Sequence, residues 1–271
     1  MTMTHQEILS ASSTILKKAK QFGVHLAGFA NVDDLKVAPS YIFAPQLQAL
    51  DKVLGTLEGE MELNPGEVKW PEVAKTVLVV AVEHPEDKPE LDWWYGQRSP
   101  SGNKLLINAV RALCEWILAN FDIDVFHFPY FIEQGGIFLK DAAVMAGLGC
   151  IGRNNMLVTP EFGPRVRLRA MALSIPIPST GPSGFDPCAL CEDLCRKACP
   201  QHAFDEPIYS PEAYSQAILP GRDGSYARPT CHIQIRKDGD EAEEQVPAGF
   251  TKPLKVLKFC RNCEWSCPVG K

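Results

Sequence analysis

Apolar residues recur at helical spacing from His5 to about Gln21, where Ile8, Leu9, Ile15, Leu16 and Ala19 form a patchy stripe and Lys17, Lys18 and Lys20 gather near the end. Gly23 stops this helix. Val24 to Asn31 reads as a buried strand, followed by an acidic turn at Asp33 and Asp34. The pattern weakens from Val37 to Trp70, apart from a helix expected from Gln46 to about Leu57, and Pro39, Pro45 and Pro65 mark loops. It returns at Lys75 to Glu83, where Val77-Leu78-Val79-Val80-Ala81-Val82 is apolar without alternation, as in a strand covered on both faces. Pro85, Pro89 and Trp93-Trp94-Tyr95 predict an aromatic loop that packs as a plug rather than forming a binding platform.

The most regular helix is expected over Asn103 to Phe121, with Leu105, Ile107, Val110, Leu113, Ile117 and Leu118 on one broad face and Cys114 as an inert core residue. Asp122 to Ile132 reads as a strand, interrupted late by Pro129, and sets His127 among apolar neighbours, where a structural and a site role both stay open. A short helix over Ile137 to Ala146 is broken by Gly147-Leu148-Gly149-Cys150-Ile151-Gly152. Three glycines let backbone approach a flat or bulky ligand, or make a tight turn. As a phosphate loop the run is weak, because it follows a helix and lacks the Lys-Ser/Thr ending. Met156 to Thr159 and Val166 to Ile175 are strand-like, and Arg165, Arg167 and Arg169 alternate along one face. A solvated or ion-paired face is the simpler reading of these arginines, and a contact to an anionic cofactor or substrate the other.

The composition changes at Pro176. Pro176, Pro178, Pro182 and Pro187 lie in a Ser/Gly-rich link, which sets a domain boundary near 178–184 and divides the chain into residues 1–180 and 181–271. The second part is loop-rich, with an acidic surface loop expected over 236–247, and carries eight of the ten cysteines. They read Cys188-x2-Cys191-x3-Cys195-x3-Cys199-Pro200, a solitary Cys231, and Cys260-x2-Cys263-x3-Cys267-Pro268. Two-cluster ferredoxins use nearly this spacing, with the fourth cysteine of each run serving the other cluster. By that logic Cys188, Cys191, Cys195 and Cys267 hold one [4Fe–4S] cluster, and Cys199, Cys231, Cys260 and Cys263 the other. Four-cysteine zinc sites and disulfides are the alternatives; the triple-cysteine loop ending in Cys-Pro favours iron–sulfur over zinc. Disulfides need an oxidising compartment, and no basic segment followed by an apolar one opens the chain.

The chain has 271 residues, 45% hydrophobic and 22% charged, enough for one sizeable core plus a small cofactor-stapled module. No apolar run approaches the ~20 residues that span a bilayer, so no membrane contact and a cytoplasmic location are expected. A net charge of −6 argues against affinity built on neutralising many phosphates.

The stretch Lys140-Asp141-Ala142-Ala143-Val144-Met145-Ala146-Gly147-Leu148-Gly149-Cys150-Ile151-Gly152-Arg153-Asn154-Asn155-Met156-Leu157-Val158-Thr159-Pro160-Glu161-Phe162-Gly163, followed by the cysteine module, resembles the epoxyqueuosine reductase family, whose wider relatives are the cobalamin-dependent reductive dehalogenases. The resemblance implies an α/β (α+β) fold: a nitroreductase-like domain that holds cobalamin, closed by a ferredoxin-like domain whose two [4Fe–4S] clusters feed electrons to cobalt. It implies an external low-potential donor of the ferredoxin or flavodoxin type, and a small-molecule or nucleoside-like substrate. It carries cofactor-binding roles to Gly147, Gly149, Gly152, Arg153 and Asn154, with His127, Lys140 and Cys150 as further candidates. The proton donor of the family matches Glu133, fourteen residues before Gly147, where relatives have aspartate. The competing reading of Glu133 is a cap on the helix near Ile137. Cys150 stands where relatives carry tryptophan; it reads as a small packed residue rather than a reactive thiol or an extra ligand, and the change is expected to leave room above the corrinoid for a different or larger substrate. The family's helical-repeat domain, associated with grasping transfer RNA, has no counterpart here, which makes tRNA a doubtful substrate. An electron-transfer or corrinoid-handling protein without its own organic substrate is the second reading, and a flavin in place of the corrinoid the third.

Overall fold

A computed structural model describes residues 3–47, 63–64, 66–96 and 98–271. Helix α1 (His5–Gln21) opens on a capping box in which Thr4 accepts from the Glu7 amide and Glu7 accepts from the Thr4 amide. Its buried stripe is Ile8, Ala11, Ile15 and Ala19, and Gly23, at φ 85°, lets the chain turn into β1 (Leu26–Asn31). Asp33 and Asp34 do not form an open turn. The Asn31 side chain accepts from both of their amides and starts α2 (Val32–Lys36), whose first turn favours the acidic pair. Pro39 likewise opens a helix, α3 (Pro39–Phe43), at the position where its missing N–H costs nothing. The helix expected from Gln46 to Leu57 meets the structure only at its start, where a 3-10 turn over Ala44–Gln46 ends; positions 48–57 and Pro65 lie outside the described residues.

Strand β2 (Thr76–Glu83) is buried along nearly its whole length, as its unbroken apolar run predicts. It is the hub of a four-stranded sheet in the order β1-β2-β7-β4, in which β4 is Val125–His127 and β7 is Val166–Leu173. All pairings are antiparallel, with Phe29 opposite Leu78 and Val79 opposite Ala170. One face packs under α1 and α4 (Ser101–Asn120), burying Phe29, Leu78, Val80, Leu113, Ile117 and Met171. The other packs under α5 (Leu139–Met145), burying Val77, Val79, Ala81, Ala142, Ala143 and Ala172. The antiparallel sheet is therefore covered on both sides, and the class is mixed helix and strand.

Several expected elements differ in extent. In α4 the core face is Leu106, Ala109, Val110, Leu113, Cys114 and Ile117, while Leu105 and Leu118 are 54% and 52% exposed. Of the strand expected over Asp122 to Ile132 only β4 forms, because Phe128 and Pro129 leave the sheet and Pro129 has no N–H for the ladder. The aromatic loop includes β3 (Trp94–Tyr95), which pairs with a strand from the cysteine-rich half. A hairpin of β5 (Cys150–Ile151) and β6 (Leu157–Val158) follows α5.

After β7, Ser179 and Thr180 donate to the Phe29, Met145 and Ala146 carbonyls, so the expected boundary is stitched to the sheet. The remainder comprises α6 (Leu194–Lys197), α7 (Pro211–Tyr214), α8 (Arg228–Asp240), β8 (Glu244–Gln245), β9 (Leu254–Leu257) and α9 (Asn262–Trp265). The acidic loop expected over 236–247 is instead the end of α8 followed by β8. The reason is that Asp238 is not a solvated charge: its carboxylate accepts from the Cys260 amide at 2.7 Å and from the Gln234 side chain at 2.7 Å. The sheet β3-β9-β8 joins the two halves of the chain.

Candidate functional site

Two cavities lie where the cysteine runs meet the α/β body. The smaller, about 260 Å³, is lined by Cys188, Cys191, Cys195 and Cys267 together with Arg153, Asn154, Asp193 and Leu194. The larger, about 720 Å³, is lined on one wall by Cys199, Cys231, Cys260 and Cys263. The opposite wall carries Tyr130, Ile132, Leu139, Lys140 and the segment Asn154 to Leu157. The volume falls within the range of small-molecule sites, which are mostly apolar with a few placed polar groups.

Local structure explains how each thiol arrives. Cys188 and Cys191 flank a tight turn in which the Cys191 amide donates to the Cys188 carbonyl, and Cys195 sits in the first turn of α6. Cys231, Gln234 and Ile235 project from one face of α8 into the large cavity, at the i, i+3, i+4 spacing of a helix. Cys263 lies on α9, and Cys267 just beyond it. Burial pushes the Cys195 thiol up to about 11 and raises Cys260, Cys263 and Cys267 above the ordinary range. Such thiols favour the neutral form until a metal takes up their charge. Among the described residues no three His, Cys, Asp or Glu side chains converge on a point that a single ion would fill, and all ten cysteines are free of disulfides.

The other expected site residues separate into three groups. Lys140 and Asn154 face the large cavity. The Lys140 ammonium donates to the Asn155 carbonyl at 2.6 Å, and burial lowers its pKa to about 8. Asn154 is buried between the two cavities and lines both; its amide group donates to the Cys263 carbonyl at 3.3 Å, and its oxygen accepts from the Met156 amide. Arg153 lines the smaller cavity instead, with its guanidinium 2.5 Å from Asp193.

Gly147, Gly149, Gly152 and Cys150 line neither cavity. At Gly147, φ is +75° and an added Cβ would stand 2.8 Å from the Thr180 carbonyl oxygen; at Gly149 it would run into the Val158 carbonyl. The glycines are there for backbone packing behind the wall. Cys150 hydrogen-bonds the Cys188 thiol, and that bond together with burial raises its pKa and keeps it protonated. It therefore makes no room in the large cavity, which Trp94 also lines. His127 is exposed on the edge strand β4, away from both cavities, because the chain turns outward after it.

Glu133 lies in a 3-10 turn (Ile132–Gln134) between cavity-lining Ile132 and Phe138, though it is not itself on the cavity wall. Its Oε2 is buried without a hydrogen-bond partner. The helix-cap reading does not hold, since the N-cap of α5 is Phe138, no side chain caps it, and Asp141 is the acidic residue of its first turn.

One group of functional interest escaped the sequence. Asp92, Arg167, Arg261 and Glu264 all border the large cavity and form a mostly buried ion network. Asp92 is 2.8 Å from Arg167, 2.6 Å from Arg261 and 2.9 Å from His84, while Glu264 pairs with both guanidiniums. Burial alone would raise Asp92; the His84 hydrogen bond and the two guanidiniums outweigh it and hold the carboxyl below its ordinary value. The alternating arginines thus have separate tasks: Arg165 donates to the Cys267 and Val269 carbonyls, Arg167 joins the network, and Arg169 stacks over Tyr130 at 4.6 Å. Only the alternation of Arg167 with its neighbours signalled this, because its partners are distant in sequence.

No family model matches the chain. Across 97% of its length it is 25% identical to the epoxyqueuosine reductase of Lactococcus garvieae and spans 70% of that protein. It is 26% identical over 170 residues to the epoxyqueuosine reductase of Xanthomonas campestris, covering 41% of it. A 66-residue stretch is 39% identical to the tetrachloroethene reductive dehalogenase of Sulfurospirillum multivorans, 13% of that enzyme. Among solved structures, an epoxyqueuosine reductase bound to an epoxyqueuosine-modified tRNA-Tyr stem loop superposes with a TM-score of 0.62 at 20% identity, over 97% of this chain and 66% of that one. A catabolic reductive dehalogenase superposes with a TM-score of 0.58 at 14% identity, over 95% of this chain and 31% of that one. The chain is thus epoxyqueuosine reductase-like in sequence and fold, with reductive dehalogenases among its relatives, and it spans between two fifths and about two thirds of most of the reductases it matches.

Proposed function

We propose that this chain is a reductase of the epoxyqueuosine reductase kind, in which two [4Fe–4S] clusters pass electrons to a cobalamin held between a nitroreductase-like part, residues 1–180, and a ferredoxin-like part, residues 181–271. The observation that carries the reading is the sorting of the cysteines. The sets Cys188/Cys191/Cys195/Cys267 and Cys199/Cys231/Cys260/Cys263, read from spacing, line two different cavities, and the second set faces the large one. When bound, the clusters supply single electrons and the corrinoid a strongly reducing cobalt centre.

The residues of the chain bind, orient and move protons around those groups. Lys140, Asn154, Asn155, Met156 and Leu157 on one wall, with Tyr130 and Ile132 at one side, would hold the corrinoid. The apolar part of that wall excludes water, which strengthens every polar contact inside. Glu133 is the candidate proton donor: its Oε2 is buried with no hydrogen-bond partner, in a turn between cavity-lining Ile132 and Phe138. A solved epoxyqueuosine reductase from Bacillus subtilis has its catalytic aspartate loop swung out of the active site, which supports a mobile acid at the matching place. An epoxyqueuosine-bearing RNA is the first substrate to test, since a neighbouring structure carries such a stem loop.

The test is anaerobic purification and reconstitution, followed by iron and sulfide analysis, cobalamin binding by absorption, and turnover of an epoxyqueuosine stem loop. About eight irons per chain, bound corrinoid and conversion to queuosine are expected. Zinc in place of iron would overturn the reading. Clusters and corrinoid without turnover of any epoxide would move the protein to the electron-transfer alternative.

A further inference from the structure

The Cys188 and Cys260 amides are both held by carboxylates, and the two carboxylates differ in what balances their charge. The Cys188 amide donates to Asp186 at 3.2 Å, and Arg222 neutralises that group with guanidinium contacts of 2.5 and 2.6 Å. The Cys260 amide donates to one oxygen of Asp238 at 2.7 Å. The other oxygen accepts from the uncharged Gln234 side chain, also at 2.7 Å. Among the described residues no cation pairs with Asp238; the neighbouring Lys237 reaches Glu241 instead, at 3.9 Å.

Helix α8 places this carboxylate beside the second cysteine set. Cys231, Gln234 and Asp238 share a helical face at spacings of three and four residues. The Gln234 amide oxygen accepts from Gln201 at 2.8 Å, which leaves its NH2 group for Asp238. A hydrogen-bonded chain Gln201–Gln234–Asp238–Cys260 therefore crosses the three segments that supply Cys199, Cys231 and Cys260. The other charges near this set are answered or remote. Glu264 is balanced by Arg167 and Arg261, and Arg228 opens α8, roughly 15 Å along the axis from Asp238.

A thiolate-held cluster that accepts an electron and no proton becomes more negative by one charge. Net charge nearby and hydrogen bonds to the sulfurs therefore set its potential. We infer that Asp238 is a positioning residue that holds the cluster of Cys199, Cys231, Cys260 and Cys263 at low potential, by an unbalanced carboxylate charge placed at the Cys260 amide; this rests on the cluster reading proposed above. The consequence is a stronger one-electron reductant on the wall of the large cavity.

The test is a dithionite-poised redox titration of anaerobically reconstituted holoprotein, followed by electron spin resonance. Asp238→Asn keeps an acceptor for the Cys260 amide and removes the charge, whereas Asp238→Glu keeps the charge. Asp238→Asn should make reduction of one cluster about tenfold more favourable, an upward shift of ~59 mV for one electron, with iron content and the other wave unchanged. Asp238→Glu should stay near wild type. Gln234→Lys, which leaves Asp238 in place and gives it a cation, should move the same wave in the same direction. An unmoved wave in Asp238→Asn at full iron content overturns the inference while leaving the clusters in place. Loss of iron from Asp238→Asn with an unmoved wave in Gln234→Lys also overturns it, and reduces Asp238 to a clamp on the Cys260 loop. Wild type without iron would remove the proposed function itself, and this inference with it.

Discussion

At the scale of single residues, Glu133 and Lys140 are the two ionisable groups whose placement calls for a function. Glu133 holds a buried oxygen with no partner, an arrangement that costs stability, and the proposed function makes it the proton donor. Glu133→Gln is expected to lower turnover by roughly 10²–10⁴-fold while leaving iron and corrinoid content unchanged, measured by single-turnover kinetics on an epoxyqueuosine stem loop. Lys140 has its pKa lowered from 10.5 to about 8, chiefly by burial. Below pH 8 the folded protein bears the full cost of an enclosed ammonium. Between pH 8 and 10.5 the unfolded chain binds the proton and the folded chain does not, so stability rises with pH across that window. Denaturant titrations of wild type should show a rise on the order of 3 kcal/mol that is missing in Lys140→Met. The family resemblance, not periodicity or spacing, pointed to Lys140 and Glu133, because each lies in or at a set offset from the glycine segment that carries it. It could not say that Cys150 and His127 line neither cavity, because which side of a hairpin or edge strand faces a cavity depends on what packs against the other side.

At the scale of elements, α8 shows why local composition misleads. Its acidic end reads as a solvated loop, yet Cys231, Gln234, Ile235 and Asp238 fall on one helical face, and that face closes the large cavity and holds the Cys260 amide. Cys231→Ala should therefore remove one cluster and spare the other. Iron content is expected to fall by about half, and the spin resonance signal of the reduced protein to simplify to one centre. The glycine hairpin makes a similar point. Its conformational freedom was legible in the sequence, but its use for packing against the Thr180 and Val158 carbonyls was not.

At the scale of the whole molecule, the two halves are welded rather than tethered. The sheet β3-β9-β8 mixes strands from both halves, and the Asp92, Arg167, Arg261 and Glu264 network spans them. On the far side of the cavity Phe43 packs against Tyr209 and Tyr214, with ring centroids 4.9 and 4.8 Å apart. Removing one member of a buried ion network leaves its partners uncompensated, so Asp92→Ala should destabilise the holoprotein by about 3 kcal/mol. Chemical denaturation under anaerobic conditions measures this. A loss below half a kcal/mol would mean that the network adds nothing to the union of the halves.

The sequence by itself determined the hub strand β2, the boundaries of α1, and the division of eight cysteines into two sets of four, because periodicity and short-range ligand spacing are properties of neighbouring residues. Only the tertiary structure decided that the two sets line separate cavities, that Arg153 lines the small cavity and Lys140 the large one, and that Asp92 and Glu264 share the guanidiniums of Arg167 and Arg261. Those outcomes depend on which faces remain after the cores on both sides of the sheet have closed. Burial of apolar surface fixes that choice, and it is a property of the packed chain rather than of any stretch within it.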